Sequence, residues 1–161
     1  MGPWIAIAGQ AITGRYLGAG DPAGARSATS RMIGWGVIYG TVFGAMLFVF
    51  IPVLPLIFSA APDVRNKLVP VLVVAALQQP IAGVVFVLDG VLIGAGDQDY
   101  LALAGLAAAA VFTVTAAIVL ARQGGLVSLW LAFTVWLAAR FATLTLRARG
   151  RRWLVTGAVR P

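Results

Sequence analysis

The sequence predicts an all-α protein that crosses a membrane several times. Of its 161 residues, 61% are hydrophobic and only 11% are charged, whereas an ordinary soluble domain has about 25% charged residues. The apolar residues form long continuous runs, which are typical of membrane helices, and not the alternating segments of about ten residues that build a membrane barrel. Most of the surface is therefore predicted to contact the lipid bilayer.

Four apolar stretches are long enough to form complete transmembrane helices, since about 20 residues cross about 30 Å of hydrocarbon. The predicted spans are residues 32–58, 68–95, 100–121 and 124–146. A fifth stretch, residues 1–17, is shorter, and we interpret it as the second half of a helix that begins outside this sequence. A signal peptide or an interfacial helix is the alternative, but no basic residue precedes the stretch and no small-residue cleavage site follows it.

The residue types that are absent exclude several kinds of chemistry. The chain contains no His, no Cys and no Glu, so it lacks the parts of a zinc site, a thiol nucleophile or a His-based serine triad. Its only lysine, Lys67, does not follow the glycine-rich run of an ATP-binding P-loop. We therefore predict that the chain is not an enzyme and holds no metal or cofactor, so active transport would depend on an ion gradient or another chain.

The basic residues outside the spans predict the orientation. One side of the membrane receives eight Arg or Lys residues and the other receives three. The positive-inside rule then places the loops at residues 15–31 and 96–99 and the basic tail, residues 147–161, in the cytoplasm. Trp153 in this tail is expected to lie among the lipid headgroups. Arginine at membrane borders indicates orientation, so we expect no nucleic acid partner.

A short repeat ends two of the predicted helices. Residues 12–21 recur at 88–97, and the two copies share the sequence Gly-Ala-Gly-Asp. We expect the glycine that precedes each shared Ala to adopt the left-handed conformation that ends a helix, and the Asp to cap the next helix. The residues concerned are Gly18, Asp21, Gly94 and Asp97. A chance match in an Ala- and Gly-rich chain is the alternative.

Glycines recur every four residues on the first full span, at Gly36, Gly40 and Gly44. Because residues at this spacing share one helix face, the glycines form a smooth stripe on which another helix can approach closely. The stripe predicts helix packing and not a ligand site.

Polar residues inside the apolar stretches are the candidates for a substrate cavity. Gln78 and Gln79 lie directly before Pro80, which removes a backbone hydrogen bond and kinks a helix. Buried amides need partners, and either a cavity or a neighbouring helix would supply them. Gln10 has the same two interpretations.

Asp89 is the ion-site candidate, because it is a carboxylate about 8 Å inside the end of its predicted span. The alternative, which we prefer, is a structural ion pair with Arg15 or Arg140, since a charge this near the border can reach water or a partner.

Three segments resemble the multidrug and toxic compound extrusion (MATE) family, and in particular the branch named for DNA-damage-inducible protein F. They are IAIAGQAITGRYLGAGD at residues 5–21, LQQPIAGVVFVLDGVLIGAGD at 77–97 and RWLVTGA at 152–158. The resemblance implies a twelve-helix antiporter of two lobes, in which residues 1–17 are the second half of helix eight and the four full spans are helices nine to twelve.

The resemblance also implies the function and the missing parts. We expect a C-terminal fragment, multi-pass in the plasma (inner) membrane, of a proton- or sodium-coupled antiporter for drug-like small molecules. Its implied partner is an N-terminal lobe absent from this sequence, without which the chain is not expected to transport. The coupling carboxylate of this branch resembles one on helix one, so no residue here inherits that role. A flippase for lipid-linked saccharides and a non-transporting membrane scaffold are the alternatives.

Overall fold

A computed structural model describes the backbone of residues 2–157 and the side chains of residues 6–157, and every regular element in this part is a helix. The helices are α1 (Gly2–Gly18), α2 (Pro22–Phe50), α3 (Leu54–Phe58), α4 (Pro62–Gly94), α5 (Gln98–Ala121) and α6 (Leu126–Arg149). Of these, α2, α4, α5 and α6 are long and apolar enough to cross a membrane. The predicted all-α polytopic fold is confirmed for the described residues. Met1 and residues 158–161, the end of the predicted tail, lie outside them.

The first full span differs from its predicted bounds at both ends. α2 begins at Pro22 and not at residue 32, because Asp21 accepts a hydrogen bond from the backbone N–H of Gly24 at 2.7 Å and so caps the helix. α2 ends at Phe50 and a separate short helix, α3, follows. The break has a local cause, since Pro52 has no N–H to donate and its ring would clash with the carbonyl four residues earlier.

α4 is the central helix. It packs against α1 and α2, which contact each other, and also against α6, on which α5 packs. Six buried apolar side chains of α4, between Val84 and Leu92, form one cluster with residues from α1, α2, α6 and the segment after α6. The cluster lies toward the C-terminal half of α4 and includes Leu88, Leu92, Leu144 and Trp153.

The outer surface of α5 is lined with exposed apolar side chains, as expected for a helix that contacts lipid. Leu103, Leu106 and Leu120 are 67%, 68% and 72% exposed, and large apolar side chains are exposed on every long helix. A soluble monomer rarely presents such a continuous apolar surface to water. The bilayer is the environment that solvates it.

The glycine stripe of α2 lies directly against α4. Gly36, Gly40 and Gly44 are buried, and a Cβ on Gly40 would lie only 2.8 Å from the Cα of Pro80. The backbones of α2 and α4 therefore touch, an approach that only glycine permits. Gly83 contributes the matching gap on α4, because a Cβ at that position would run into the backbone of Gly36.

A second close contact joins α1 to α4, and no sequence pattern singled out above predicts it. A Cβ on Gly90 would lie 2.7 Å from the Cα of Ala6, and one on Gly94 would lie 2.7 Å from the Cα of Gln10. Gly90 and Gly94 are one helical turn apart, so they form a short stripe of their own.

The structure corrects the predicted glycine caps. Within the repeat, the residues in the left-handed region are Gly20 and Gly96, with φ of 74° and 68°, whereas Gly18 and Gly94 are the last residues of α1 and α4. Each helix continues through the first glycine of the Gly-Ala-Gly sequence, and the chain reverses only at the second. Gly94 remains part of α4, and its lack of a side chain permits the close contact with α1.

Trp153 is fully buried, which corrects its expected place among the headgroups. After α6 the chain turns back at Gly150, and the Trp153 indole N–H donates to the carbonyl of Ala148 at 3.0 Å. Arg26 of α2 donates to the carbonyl of Gly150 at 2.8 Å. The end of α6 is thus attached to the start of α2, and Trp153 fills the space between them.

Candidate functional site

Polar side chains gather along the contact between α4 and α6. We call this set the α4–α6 seam, and it extends to the turn before α5. Its members form three pairs, which are Gln78 with Thr134, Asp89 with Arg140, and Asp97 with Arg147. Residue numbers rise together along the two helices from pair to pair, so α4 and α6 run parallel. A parallel pair places its corresponding ends on the same side of the membrane.

Asp89 and Arg140 form an ion pair at the middle of the seam. Their side chains are 25% and 12% exposed, so both are mostly shielded by protein. The structure thus brings Asp89 to Arg140, one of the two arginines predicted as its partner, whereas Arg15 lies on α1. The Nη1 atom of Arg140 is buried without a hydrogen-bond partner among the described residues.

The end of the seam holds a stronger pair. Arg147 binds Asp97 through two hydrogen bonds, from Nε at 2.6 Å and from Nη2 at 2.8 Å, which is the bidentate arrangement that favours arginine. The guanidinium of Arg147 also lies 4.6 Å from the centre of the Tyr100 ring, and the Tyr100 hydroxyl donates to the carbonyl of Thr143 at 2.7 Å. The turn between α4 and α5 is thereby attached to the end of α6.

This pair corrects the role predicted for Asp97. Asp97 occupies the N-cap position of α5, but its side chain makes no capping hydrogen bond. Its carboxylate is almost fully buried and binds Arg147 instead. Asp21, the equivalent residue of the first copy of the repeat, does cap its helix. The two copies therefore share a turn but not a role, because only the second lies beside α6.

The two amides before Pro80 are satisfied within the described residues. Gln78 is 5% exposed, and its Nε2 donates to the Thr134 hydroxyl of α6 at 2.7 Å. Gln79 donates to the carbonyl of Ala75, one turn earlier in its own helix, at 3.0 Å. The structure thus gives Gln78 a partner on a neighbouring helix and Gln79 a partner in its own backbone.

Pro80 and Gln10 lie away from the seam. Pro80 is inside α4, which continues through it, and the Ala76 carbonyl that loses its usual partner faces Gly44 of α2. Pro80 therefore belongs to the contact with the glycine stripe. The Gln10 side chain is exposed on α1, and its backbone lies against Gly94 of α4.

Sequence reasoning missed Arg147, Thr134 and Tyr100. A signal for the first was present, because Arg140 and Arg147 are seven residues apart and so lie on one face of a helix after about two turns. Asp89 and Asp97 show a similar spacing of eight residues. Two acids and two arginines at matching intervals indicate two ion pairs between parallel helices. The hydroxyl of Thr134 gives no comparable signal.

Comparison with known proteins places the chain in a family. The family model described as MatE matches residues 3–121. Protein DETOXIFICATION 43 of Arabidopsis thaliana is 32% identical over 139 residues, covering 86% of this chain and 26% of the relative. Protein DETOXIFICATION 42 of the same organism is 30% identical over 137 residues, covering 85% and 26%.

The chain thus spans about a quarter of the length of these curated relatives. No solved structure matches it significantly. The family model nevertheless covers most of the chain, and its matched region includes the helices that pack around the glycine contacts. This chain is a multi-pass membrane protein that belongs to the MatE family of transporters.

Proposed function

We propose that this chain is the C-terminal part of a cation-coupled antiporter that removes drug-like or toxic compounds from the cell. The observation that carries the proposal is the match of residues 3–121 to the MatE model. The names of the two Arabidopsis relatives refer to detoxification, which supports efflux over other kinds of transport. The substrate and the coupling ion, a proton or sodium, are part of the proposal.

The assignment to the C-terminal part rests on the helix pattern and on the resemblance to the DNA-damage-inducible protein F branch. In that arrangement α1 is the end of helix eight, and α2, α4, α5 and α6 are helices nine to twelve. The short helix α3 belongs to the connection between helices nine and ten. The partner that completes the transporter is then an N-terminal lobe with the remaining helices.

Within such a transporter we assign this chain the role of a rigid unit. Alternating access moves one bundle of helices against another around a shared site, so each bundle must keep its internal contacts. The glycine contacts of α2 and α1 with α4 and the ion pairs of the seam supply that rigidity. Because Asp89 already has Arg140 as its counter-ion, we place the coupling carboxylate in the N-terminal lobe.

We further propose the plasma (inner) membrane as the location, with the C-terminus in the cytoplasm. Support comes from the clustering of basic residues at one end of the bundle. The hydrogen bond of Arg26 to Gly150 and the pairing of Arg147 with Asp97 bring the α1–α2 turn, the α4–α5 turn and the end of α6 together. These are the segments that the positive-inside rule assigns to the cytoplasm.

The test measures efflux of a cationic fluorescent dye from cells that lack their own dye exporters. One strain makes this chain alone, a second makes an N-terminal lobe of a MatE-family protein alone, and a third makes both. We expect extrusion that depends on the ion gradient only in the third strain, because the substrate site needs both bundles. Membrane yields of each chain normalise the rates.

Two results would contradict the proposal. Gradient-dependent extrusion by this chain alone would show that no second lobe is needed. A folded complex of the two parts that moves neither the dye nor any other cation tested would favour a scaffold, and movement of lipid-linked saccharides by that complex would favour the flippase.

A further inference from the structure

A cavity of about 640 Å³ lies between α1 and α2, beside the turn that joins them. None of the residues predicted for a substrate cavity lines it. Its wall combines charged, hydroxyl and aromatic side chains with small apolar ones. The residues that matter here are Arg15, Tyr16, Asp21, Ser27, Arg31 and Trp35.

The two arginines of this cavity have no acidic partner in residues 2–157. Arg15 lies 5.7 Å from the centre of the Tyr16 ring, and Arg31 makes one long hydrogen bond, of 3.5 Å, to the Ser27 hydroxyl. The one carboxylate in the wall, Asp21, is engaged by the backbone N–H of Gly24 at 2.7 Å. The cavity therefore presents two guanidinium groups to whatever enters it.

The length of α2 places these groups at the membrane border. α2 has 29 residues and is about 43 Å long, so it exceeds a hydrocarbon core of about 30 Å by roughly nine residues. If its far end, Phe50, lies at one border, the other border falls near Arg31. Trp35 is one turn deeper and exposed, and Trp is typical of the interfacial zone.

We propose that this cavity binds the headgroup of an anionic phospholipid, with the phosphate held between Arg15 and Arg31. Guanidinium groups match phosphate oxygens in geometry and charge, and the arginines lie at the depth of the headgroups. The glycerol unit then rests against Trp35, and the acyl chains lie along the exposed apolar side chains of α2, such as Ile38 and Val42. A zwitterionic headgroup brings a cation toward the two arginines, so it binds less well. The proposal needs the chain to lie in a membrane but does not depend on transport.

The experiment is native mass spectrometry of the purified chain, released from micelles that contain equal amounts of phosphatidylglycerol and phosphatidylcholine. We expect the chain to retain phosphatidylglycerol preferentially. Arg15→Gln and Arg31→Gln should each weaken this retention about fivefold, the effect of one basic residue near an anionic surface. Arg152→Gln is the matched control, because Arg152 is exposed at the same end but does not line the cavity. It should leave retention unchanged.

A gain-of-binding variant keeps the test decisive if an arginine variant does not fold. Asp21→Asn removes the negative charge from the wall, while asparagine caps a helix as well as aspartate does. It should increase the retention of phosphatidylglycerol. Circular dichroism and gel filtration confirm that each variant is folded.

The remaining outcomes decide against the proposal. Equal retention of the two lipids, or equal loss in Arg15→Gln and Arg152→Gln, would show that the cavity does not select an anionic headgroup. Retention of glycerol 3-phosphate that matches that of phosphatidylglycerol would assign the cavity to a soluble phosphorylated compound. Failure of the efflux experiment would leave these measurements unaffected.

Discussion

Arg140 is a charged side chain inside a membrane-spanning helix, and its ion pair with Asp89 compensates for the cost of that position. An unpaired arginine at the centre of a membrane helix costs about 2.5–3.5 kcal/mol. The carboxylate of Asp89, which accepts a hydrogen bond from Arg140, supplies the opposite charge. The charge of Arg140 is thus balanced within the bundle.

We expect Asp89→Asn to lower the free energy of unfolding by about 2 kcal/mol, because it leaves a largely buried guanidinium without its counter-ion. Arg140→Gln should have a similar effect for the opposite reason. The double variant should lose less than the sum of the two, since neither charge then remains unpaired. Denaturant titration of the purified chain in micelles measures all three.

Asp99→Asn is the control for this cycle, because Asp99 is exposed at the start of α5 and should contribute little. Additive losses in the double variant would contradict a structural ion pair. So would an Asp89→Asn protein of normal stability that, reconstituted with the N-terminal lobe, has lost only the pH dependence of its transport. That result would make Asp89 a proton or cation site.

At the scale of the helix, the close contacts of α4 depend on glycine residues, which have no side chain. Gly36, Gly40 and Gly44 let α2 approach α4, and Gly90 and Gly94 let α1 approach it. In lipid, helices gain little from excluding water, and close van der Waals packing must hold them together. The short distances between backbones supply that packing.

We expect Gly40→Ala to destabilise the chain by about 1–3 kcal/mol, because its new methyl group would meet the backbone of Gln79 and Pro80. Gly34→Ala is the matched control on the same helix, since a Cβ there meets nothing within 4 Å. That control should be neutral or slightly stabilising, as alanine is the better helix former. Thermal unfolding in micelles compares the two. Equal effects of both substitutions would show that the stripe does not pack against α4.

The segment after α6 acts as a clasp between the end of α6 and the start of α2. We expect Trp153→Ala to destabilise by about 3–5 kcal/mol, because it empties the fully buried site of a large ring. Val155→Ala, two residues later and 36% exposed, should cost far less. Protection of the Trp153 region from added protease tests the same contact. An unchanged protection pattern in Trp153→Ala would contradict the clasp.

Much of the helical architecture could be predicted from the sequence, because apolar run length is a direct requirement of the bilayer. The end of the first span was predicted too late, at residue 58, because apolar run length does not register Pro52, which ends α2 at Phe50. The start of α2 was not predicted either, since a helix continues beyond the membrane border while its cap and hydrogen bonds allow it. Trp153 was misplaced because a sequence does not show that the chain turns back after α6.

The candidate site shows the same limit. The carboxylate of Asp89 stood out by its depth in a span, and Arg140 was one of its two predicted partners. The choice between them depended on which helix lies beside α4, which is a tertiary property. The role of Asp97 also depended on knowing which helix lies beside it. Its carboxylate could cap α5 or bind Arg147, and the sequence does not show that Arg147 is within reach.

At the scale of the whole molecule, the proposed roles of these contacts depend on which end of the helix bundle faces the cytoplasm. The arginine cavity, the clasp and the pair of Asp97 with Arg147 all lie at the end that we assign to the cytoplasm. The lipid site needs this end to face an anionic leaflet. The proposed assembly with an N-terminal lobe needs α2, α4, α5 and α6 to cross in alternating directions.

The most direct test of this account is the topology of the chain in a bacterial inner membrane. A reporter enzyme that is active only outside the cytoplasm is fused after Asp97, after Gln123 or after Pro161. We predict strong activity for the fusion after Gln123, which follows α5, and none for the other two. The side that contains residues 97 and 161 has eight basic residues and the opposite side has three, so the positive-inside rule keeps the first side in the cytoplasm. A reporter that fluoresces only in the cytoplasm should give the opposite pattern at the same positions. Activity of the first reporter after Pro161, with none after Gln123, would contradict the assigned orientation.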